Sequence, residues 1–274
     1  MSRNRIIILA LLLFNLVFWA TAFKSSDDLE ITFFDVGQGD SIFIETPSDF
    51  QVLIDGGPNS KVLEKLGETM TFKDRTIDLI VLTHPDKDHL AGLLDVLQSY
   101  EVSNILWTGV VGDTKGYFEW KRLIEEEGAE IIIASAGQRI DLAEDIHLFV
   151  HNPKNDISGQ EIDPVNDTSV VLELVYNELS VLLTGDVSKR IEKDLDIEAD
   201  ILQIAHHGSK TSTSMGFLAR ADPELAIISV GENSYGHPNQ GVLSNISQFA
   251  IELLTTKDHG DIKIISDGNN FVVK

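Results

Sequence analysis

Leu82-Thr83-His84-Pro85-Asp86-Lys87-Asp88-His89 is the stretch on which the reading of this chain turns. The apolar run Ile77–Leu82 leads into it and helical periodicity from Leu90 to Gln98 follows, so the string predicts a strand-to-helix turn. Four side chains able to ligate a cation, His84, Asp86, Asp88 and His89, fall within six residues. A turn lets side chains this closely spaced converge on one point; a straight strand or helix does not. Asp88 and His89 open the helix, where the positive end of the helix dipole favours a carboxylate. Imidazole with carboxylate is a ligand set for Zn²⁺, Mn²⁺ or Fe²⁺.

Three more segments share this form, an apolar strand released into polar groups. Val181–Leu183 runs into Thr184-Gly185-Asp186, Ile201–Ile204 into Ala205-His206-His207-Gly208-Ser209, and Leu225–Val230 into a loop ending at Tyr235-Gly236-His237-Pro238. Strand ends that each deliver a ligand predict one sheet edge on which they meet. Ser209, Lys210 and Thr211 could hold a phosphate or simply form a polar helix entry.

Outward from these motifs, short apolar segments alternate with helical ones. Strands are expected at Glu30–Phe34, Ser41–Glu45, Gln51–Ile54, Ile105–Trp107, Glu130–Ile133, Ile146–Val150, Ser169–Val175 and Ser180–Leu183, with a closing hairpin of Ile262–Ile265 and Phe271–Val273. Helices are expected at Lys61–Met70, Tyr117–Glu127, Lys189–Leu195, Ser212–Ala219 and Val242–Leu253. Two similar halves, each mixing antiparallel strands with helices, predict two sheets packed face to face with helices outside. The fold class is therefore α+β, a four-layer αββα sandwich.

Arg3 and Arg5 precede an apolar run from Ile6 to Phe23, and Ala20-Thr21-Ala22 has the small-x-small pattern of a signal-peptidase site. Residues 1–22 read as a secretory signal or an uncleaved N-terminal anchor, 23–29 as a connector and 30–274 as the folded domain. The run is 18 residues long, at the short limit for a bilayer-crossing helix. Its positive flank places the body of the protein outside the cytoplasm. Without Arg3 and Arg5 the charge of 21 basic against 44 acidic residues becomes 19 − 44 = −25. That excludes a general basic surface for nucleic acid and leaves only a local groove. The absence of cysteine excludes disulfides, thiolate metal sites and a cysteine nucleophile.

The order of Phe34-Asp35-Val36-Gly37-Gln38-Gly39-Asp40, Leu53-Ile54-Asp55-Gly56-Gly57, the His84–His89 string, Asn166-Asp167-Thr168-Ser169, Thr184-Gly185-Asp186, His206-His207-Gly208-Ser209 and Tyr235-Gly236-His237-Pro238 resembles the metallo-β-lactamase superfamily. More narrowly it resembles the C-terminal hydrolase domain of ComEC-type competence proteins, from about Glu30 to the C-terminus, without their many-helix membrane channel. The resemblance implies an αββα sandwich with a site for two divalent cations, Zn²⁺ or alternatively Mn²⁺. Carried over, His84 and Asp86 face the first ion, Asp88, His89 and His207 the second, and Asp186 bridges them. His207 is preferred to His206 because the superfamily's last histidine usually stands before glycine; His206 then supports the loop or a ligand. Asp35, Asp40 and Asp55 match positions that hold loops beneath the site.

Two departures bear on the metal. The commoner string has histidine where Asp86 stands, and the usual third-motif histidine is missing, with Asn166 near its place. His147 and His151 read as ordinary strand and loop residues. Two ions sharing a water would lower its pKa toward neutrality and supply hydroxide to a phosphorus or carbonyl centre. Asp88 and His237 are the candidate catalytic residues, with Ser209, Lys210 and Tyr235 the candidate substrate contacts. The resemblance points to phosphodiester hydrolysis of DNA, a nucleotide or a small phosphodiester. An ester or lactone substrate, or a non-catalytic metal-binding protein of the same fold, are the rival readings.

Overall fold

The computed structural model describes residues 28–274, so the expected leader and most of the connector lie outside the described residues. Among the described residues, fifteen strands form two mixed sheets. In the first, β1 (Leu29–Phe33), β2 (Ile42–Glu45) and β3 (Gln51–Ile54) pair antiparallel. β4 (Thr76–Leu82), β5 (Glu101–Trp107) and β6 (Glu130–Ile133) continue it in parallel. The C-terminal hairpin, β14 (Ile262–Ser266) and β15 (Phe271–Val273), completes this sheet beside β1.

The second sheet repeats the plan. β7 (Arg139–Ala143), β8 (Ile146–Asn152), β9 (Val171–Tyr176) and β10 (Leu179–Leu183) are antiparallel. β11 (Ile201–Gln203), β12 (Leu225–Ile228) and β13 (Glu252–Thr255) follow in parallel.

The parallel strands read as unbroken apolar runs because both of their faces are covered. On β4, Leu79 and Val81 enter the core between the sheets, whereas Ile80 and Leu82 pack beneath helices. On β10, Val181 and Leu183 face inward and Leu182 outward. The outer layer of the first sheet is α1 (Lys61–Thr69), α2 (Lys87–Leu97) and α3 (Lys115–Glu127). That of the second is mainly α5 (Met215–Ala221) and α6 (Gln240–Gln248), with short turns α4 (Lys189–Glu192) and α7 (Thr256–His259). This is the αββα sandwich expected from the sequence. No helix among the described residues is long and apolar enough to cross a membrane.

Three boundaries differ from expectation for identifiable reasons. The helix read as Val242–Leu253 stops at Gln248, because Ala250 turns left-handed (φ 55°) and Glu252–Thr255 becomes an edge strand. The helix read from Ser212 starts at Met215. Ser214 caps it, and Ser212 instead donates its hydroxyl to the Ala205 carbonyl. Arg139–Ala143 is an edge strand that its polar composition conceals.

Candidate metal centre

β3, β4, β10, β11 and β12 all release their C-terminal ends on one edge of the sandwich, and the chemistry-bearing residues follow them. After β4 the chain makes the predicted turn: Asp86 is the N-cap of α2, and its side chain makes no capping hydrogen bond. His89 lies in the first turn of α2, fully buried. After β11 the backbone takes a left-handed turn through His206 (φ 53°), His207 (φ 53°) and Gly208 (φ 77°). Two consecutive non-glycine residues in this region cost about 1–3 kcal/mol each, a strain characteristic of functional sites. The turn sends the His207 ring inward, 2% exposed, and leaves the His206 side chain 27% exposed.

Three imidazoles present the same atom to the same space. His89 Nδ1 lies 2.7 Å from Asp55 Oδ2, which can only accept, so the ring proton sits on Nδ1. His207 Nδ1 donates to the Ser229 carbonyl at 2.9 Å. His84 Nδ1 faces the hydroxyls of Thr83 at 3.1 Å and Ser169 at 3.3 Å. Those hydroxyls spend their own protons on Asp55 and on the Asn166 carbonyl, so they too accept. Each ring therefore turns an Nε2 lone pair to the interior. His84 Nε2, His89 Nε2, His207 Nε2 and Asp186 Oδ1 are buried and form no hydrogen bond. Four convergent buried atoms left unpaired would each cost on the order of 1–3 kcal/mol unless something else binds them. A divalent cation fits this donor set.

The geometry groups the candidates closely. His84, His89 and Asp186 offer ligand atoms within 4.8 Å of one another, as do Asp88, His89 and His207. The His84 and His89 ring centroids are 4.2 Å apart. Asp186 Oδ1 lies 3.4 Å from His89 Nε2, and its Oδ2 lies 3.9 Å from His84 Nε2 and 3.8 Å from His207 Nε2, so the carboxylate sits among the three rings. Asp88 Oδ2 is 3.4 Å from His207 Nε2. Asp86 stands at the rim, 43% exposed and 3.6 Å from His84 Nε2, outside the tight groups.

The charges of the pocket favour a cation. Burial alone would depress the pKa of His89 and His207, yet Asp186 with Asp55, and Asp186 with Asp40, raise both well above the usual imidazole value. Burial opposes ionisation of Asp186 as well, but His207 and His89 hold it well below the ordinary carboxylate range. Burial would raise Asp88, but the His207 imidazole 3.4 Å away and the charge of His89 lower it to about 2.

The remaining expected residues divide. Asp55, fully buried and itself left-handed (φ 56°), accepts the Thr83 N–H at 2.8 Å and the Thr83 hydroxyl at 2.6 Å besides its contact with His89. Asn166 Nδ2 donates to Asp186 Oδ2 at 3.3 Å, from the place where the sequence lacks a histidine. His206 contacts Thr211 Oγ1 and lies 3.7 Å from Asp186. Asp35 stands apart, paired with Lys61 at 3.1 Å. The Ser209 hydroxyl is buried against Thr211, whereas Lys210 is exposed and Tyr235 is 75% exposed. His237 packs its ring 5.6 Å from that of His206, and burial with His206 and His207 lowers its pKa. His147 and His151 pair with Asp141 and Glu173 within the second sheet.

Sequence reasoning missed Thr83, Ser169 and Gln203. Gln203 donates to Asp40 Oδ2 at 2.6 Å and accepts the N–H groups of Thr184 and Gly185, tying the two sheets together beneath the cluster. Its signal was a polar residue at the end of a fully buried strand.

The family model of the metallo-β-lactamase superfamily matches residues 34–232. The chain belongs to the metallo-β-lactamase superfamily. Among curated relatives of this superfamily member, ComE operon protein 3 of Bacillus subtilis is 32% identical over 264 residues, covering 87% of the chain and 33% of the relative. Competence protein ComA of Neisseria gonorrhoeae is 26% identical over 250 residues, covering 86% of the chain and 32% of the relative. The chain thus spans about a third of the length of these relatives, which bear out the resemblance to competence proteins. The solved structure of Igni18, a metallo hydrolase of Ignicoccus hospitalis, superposes with a TM-score of 0.57 at 14% identity, covering 90% of this chain and 98% of that one, a likeness of fold.

Proposed function

We propose that this chain is an exported, metal-dependent hydrolase of phosphodiesters, acting on a small phosphodiester or nucleotide. The observation that carries the reading is the set of buried, unpaired side-chain atoms on His84, His89, His207 and Asp186 that converge in a chain of this superfamily. His84, Asp86, Asp88, His89, Asp186 and His207 would hold two divalent cations, Zn²⁺ or Mn²⁺. Bound there, such ions act as Lewis acids and lower the pKa of water, so no strong protein base is required.

The chain's own residues orient and exclude. Asp55, Ser229 and the Thr83–Ser169 pair fix the three rings with Nε2 inward. Asn166 steadies Asp186. Asp88, on the open side, holds its negative charge down to low pH and faces the incoming substrate. His237, kept neutral by burial and by neighbouring imidazoles, offers a hydrogen bond to a substrate oxygen. A net charge of −23 argues for a small ester in preference to a long polyanion.

Hydrolysis of bis-p-nitrophenyl phosphate with Mn²⁺ or Zn²⁺, and its loss with a chelator, tests the reading. Asp88→Ala should lower kcat/KM at least about a hundredfold. Undiminished activity in that variant removes the mechanism. Metal binding without hydrolysis of phosphodiesters, esters or lactones would favour a binding protein of the same fold. Export is tested by the N-terminal sequence of the protein recovered outside the cytoplasm, with cleavage after Ala22 or an intact membrane-bound chain as the outcomes that support it.

A further inference from the structure

Two grooves open on either side of the His84–His89 turn, and their charges differ. The first, about 320 Å³, reaches Asp88 and is bounded by Gln38, Asn59, Lys87 and Tyr235. The second, about 570 Å³, reaches Asp86 and is bounded by Thr114, Asp113, Glu161 and Asp163, with no lysine or arginine among its described lining.

Lys87 is the first residue of α2, exposed and without an ion pair among the described residues. It is the one lysine or arginine among the described lining of the two grooves, in a chain with 44 acidic and 21 basic residues. Opposite it, the exposed Tyr235 rides on a pinned loop. Asn233 Oδ1 accepts the N–H groups of Tyr235, Gly236 and His237, and its Nδ2 donates to the carbonyls of Gly231 and His237. An aromatic ring displayed on a backbone already fixed loses little entropy when a planar group stacks on it.

The geometry points to a nucleotide subsite in the first groove. Tyr235 stacks on the base beside the scissile phosphate, Lys87 pairs with a flanking phosphate, and Asp113, Glu161 and Asp163 repel phosphates on the far side. The substrate class is then a nucleotide ester or the terminal linkage of a short strand, and internal linkages of long strands are disfavoured. This assignment rests on the phosphodiesterase reading and adds its specificity residues.

Three p-nitrophenyl phosphodiesters test it on the full chain: the methyl ester, the thymidine 5′-ester and the thymidine 3′-phosphate 5′-ester. The wild-type protein should prefer them in rising order by kcat/KM. Tyr235→Ala should shrink the thymidine-over-methyl ratio about tenfold, and Lys87→Ala should shrink the gain from the 3′-phosphate about fivefold. The triple variant Asp113→Asn, Glu161→Gln, Asp163→Asn should raise internal relative to terminal cleavage of an oligonucleotide. Hydrolysis with all these ratios unaltered overturns the subsite and leaves the hydrolase reading intact. If no ester is turned over, the hydrolase reading fails by itself, and calorimetry with thymidine 3′,5′-bisphosphate decides the subsite. Binding weakened by both single substitutions supports it, and no binding, or binding indifferent to them, overturns it.

Discussion

Asp55 contributes no atom to the open side of the cluster, yet three groups depend on it: the Thr83 N–H, the Thr83 hydroxyl and His89 Nδ1. Replacing it by alanine strands two buried donors and frees the His89 ring to rotate. Asp55→Ala should lower stability by on the order of 3 kcal/mol in urea titration and weaken metal affinity about 10- to 100-fold. Unchanged affinity would show that His89 is oriented without it. At this scale the sequence was legible where a motif names a backbone conformation. His207 is inward because it sits before Gly208 in a left-handed turn. Asp35 was ambiguous, because motif order does not reveal which way a loop side chain points; it turns to Lys61. Gln203 was missed because a buried amide acquires its role only from partners on the other sheet, above all Asp40.

The element that sets the site is α2, which carries Asp88 and His89. It is docked through glycines: Gly56 N–H donates to the His89 carbonyl at 2.7 Å, and Gly92 N–H donates to the Gly57 carbonyl at 3.0 Å. A Cβ on Gly92 would overlap the Gly56 carbonyl oxygen. Gly92→Ala should therefore push α2 outward, destabilising the fold by about 1–3 kcal/mol and raising KM and metal dissociation together. A stable variant with unchanged metal affinity would dissociate helix position from site geometry. Strands that end in ligand-capable residues were readable, since a strand covered on both faces is apolar along its whole length and the polar side chains mark its end sharply. β7 and β13 were not, because edge strands are short and partly exposed. The end of α6 was hidden because Ala250, and not glycine, supplies the left-handed residue.

In the whole molecule, the proposed ligands come from both sheets: His84, Asp88 and His89 follow β4, while Asp186 and His207 follow β10 and β11. The two-sheet architecture was legible from its repeated plan, and the seam was not, since contacts such as Val170 N–H to the Thr83 carbonyl at 3.0 Å join distant segments. A charge of −23 should keep long duplex DNA from binding. A gel-retardation assay at low salt should show no complex, and a stable complex would reveal a basic track the described surface does not display. Site, orientation and chemistry all depend on this seam holding divalent cations, and metal analysis after equilibrium dialysis against Zn²⁺ or Mn²⁺ is the decisive check. At least one tightly held ion per folded chain is expected, lost or sharply reduced in His89→Ala and Asp186→Ala variants that retain native circular dichroism. A folded wild-type chain that retains no metal, or folded variants that retain as much as the wild type, would overturn the assignment.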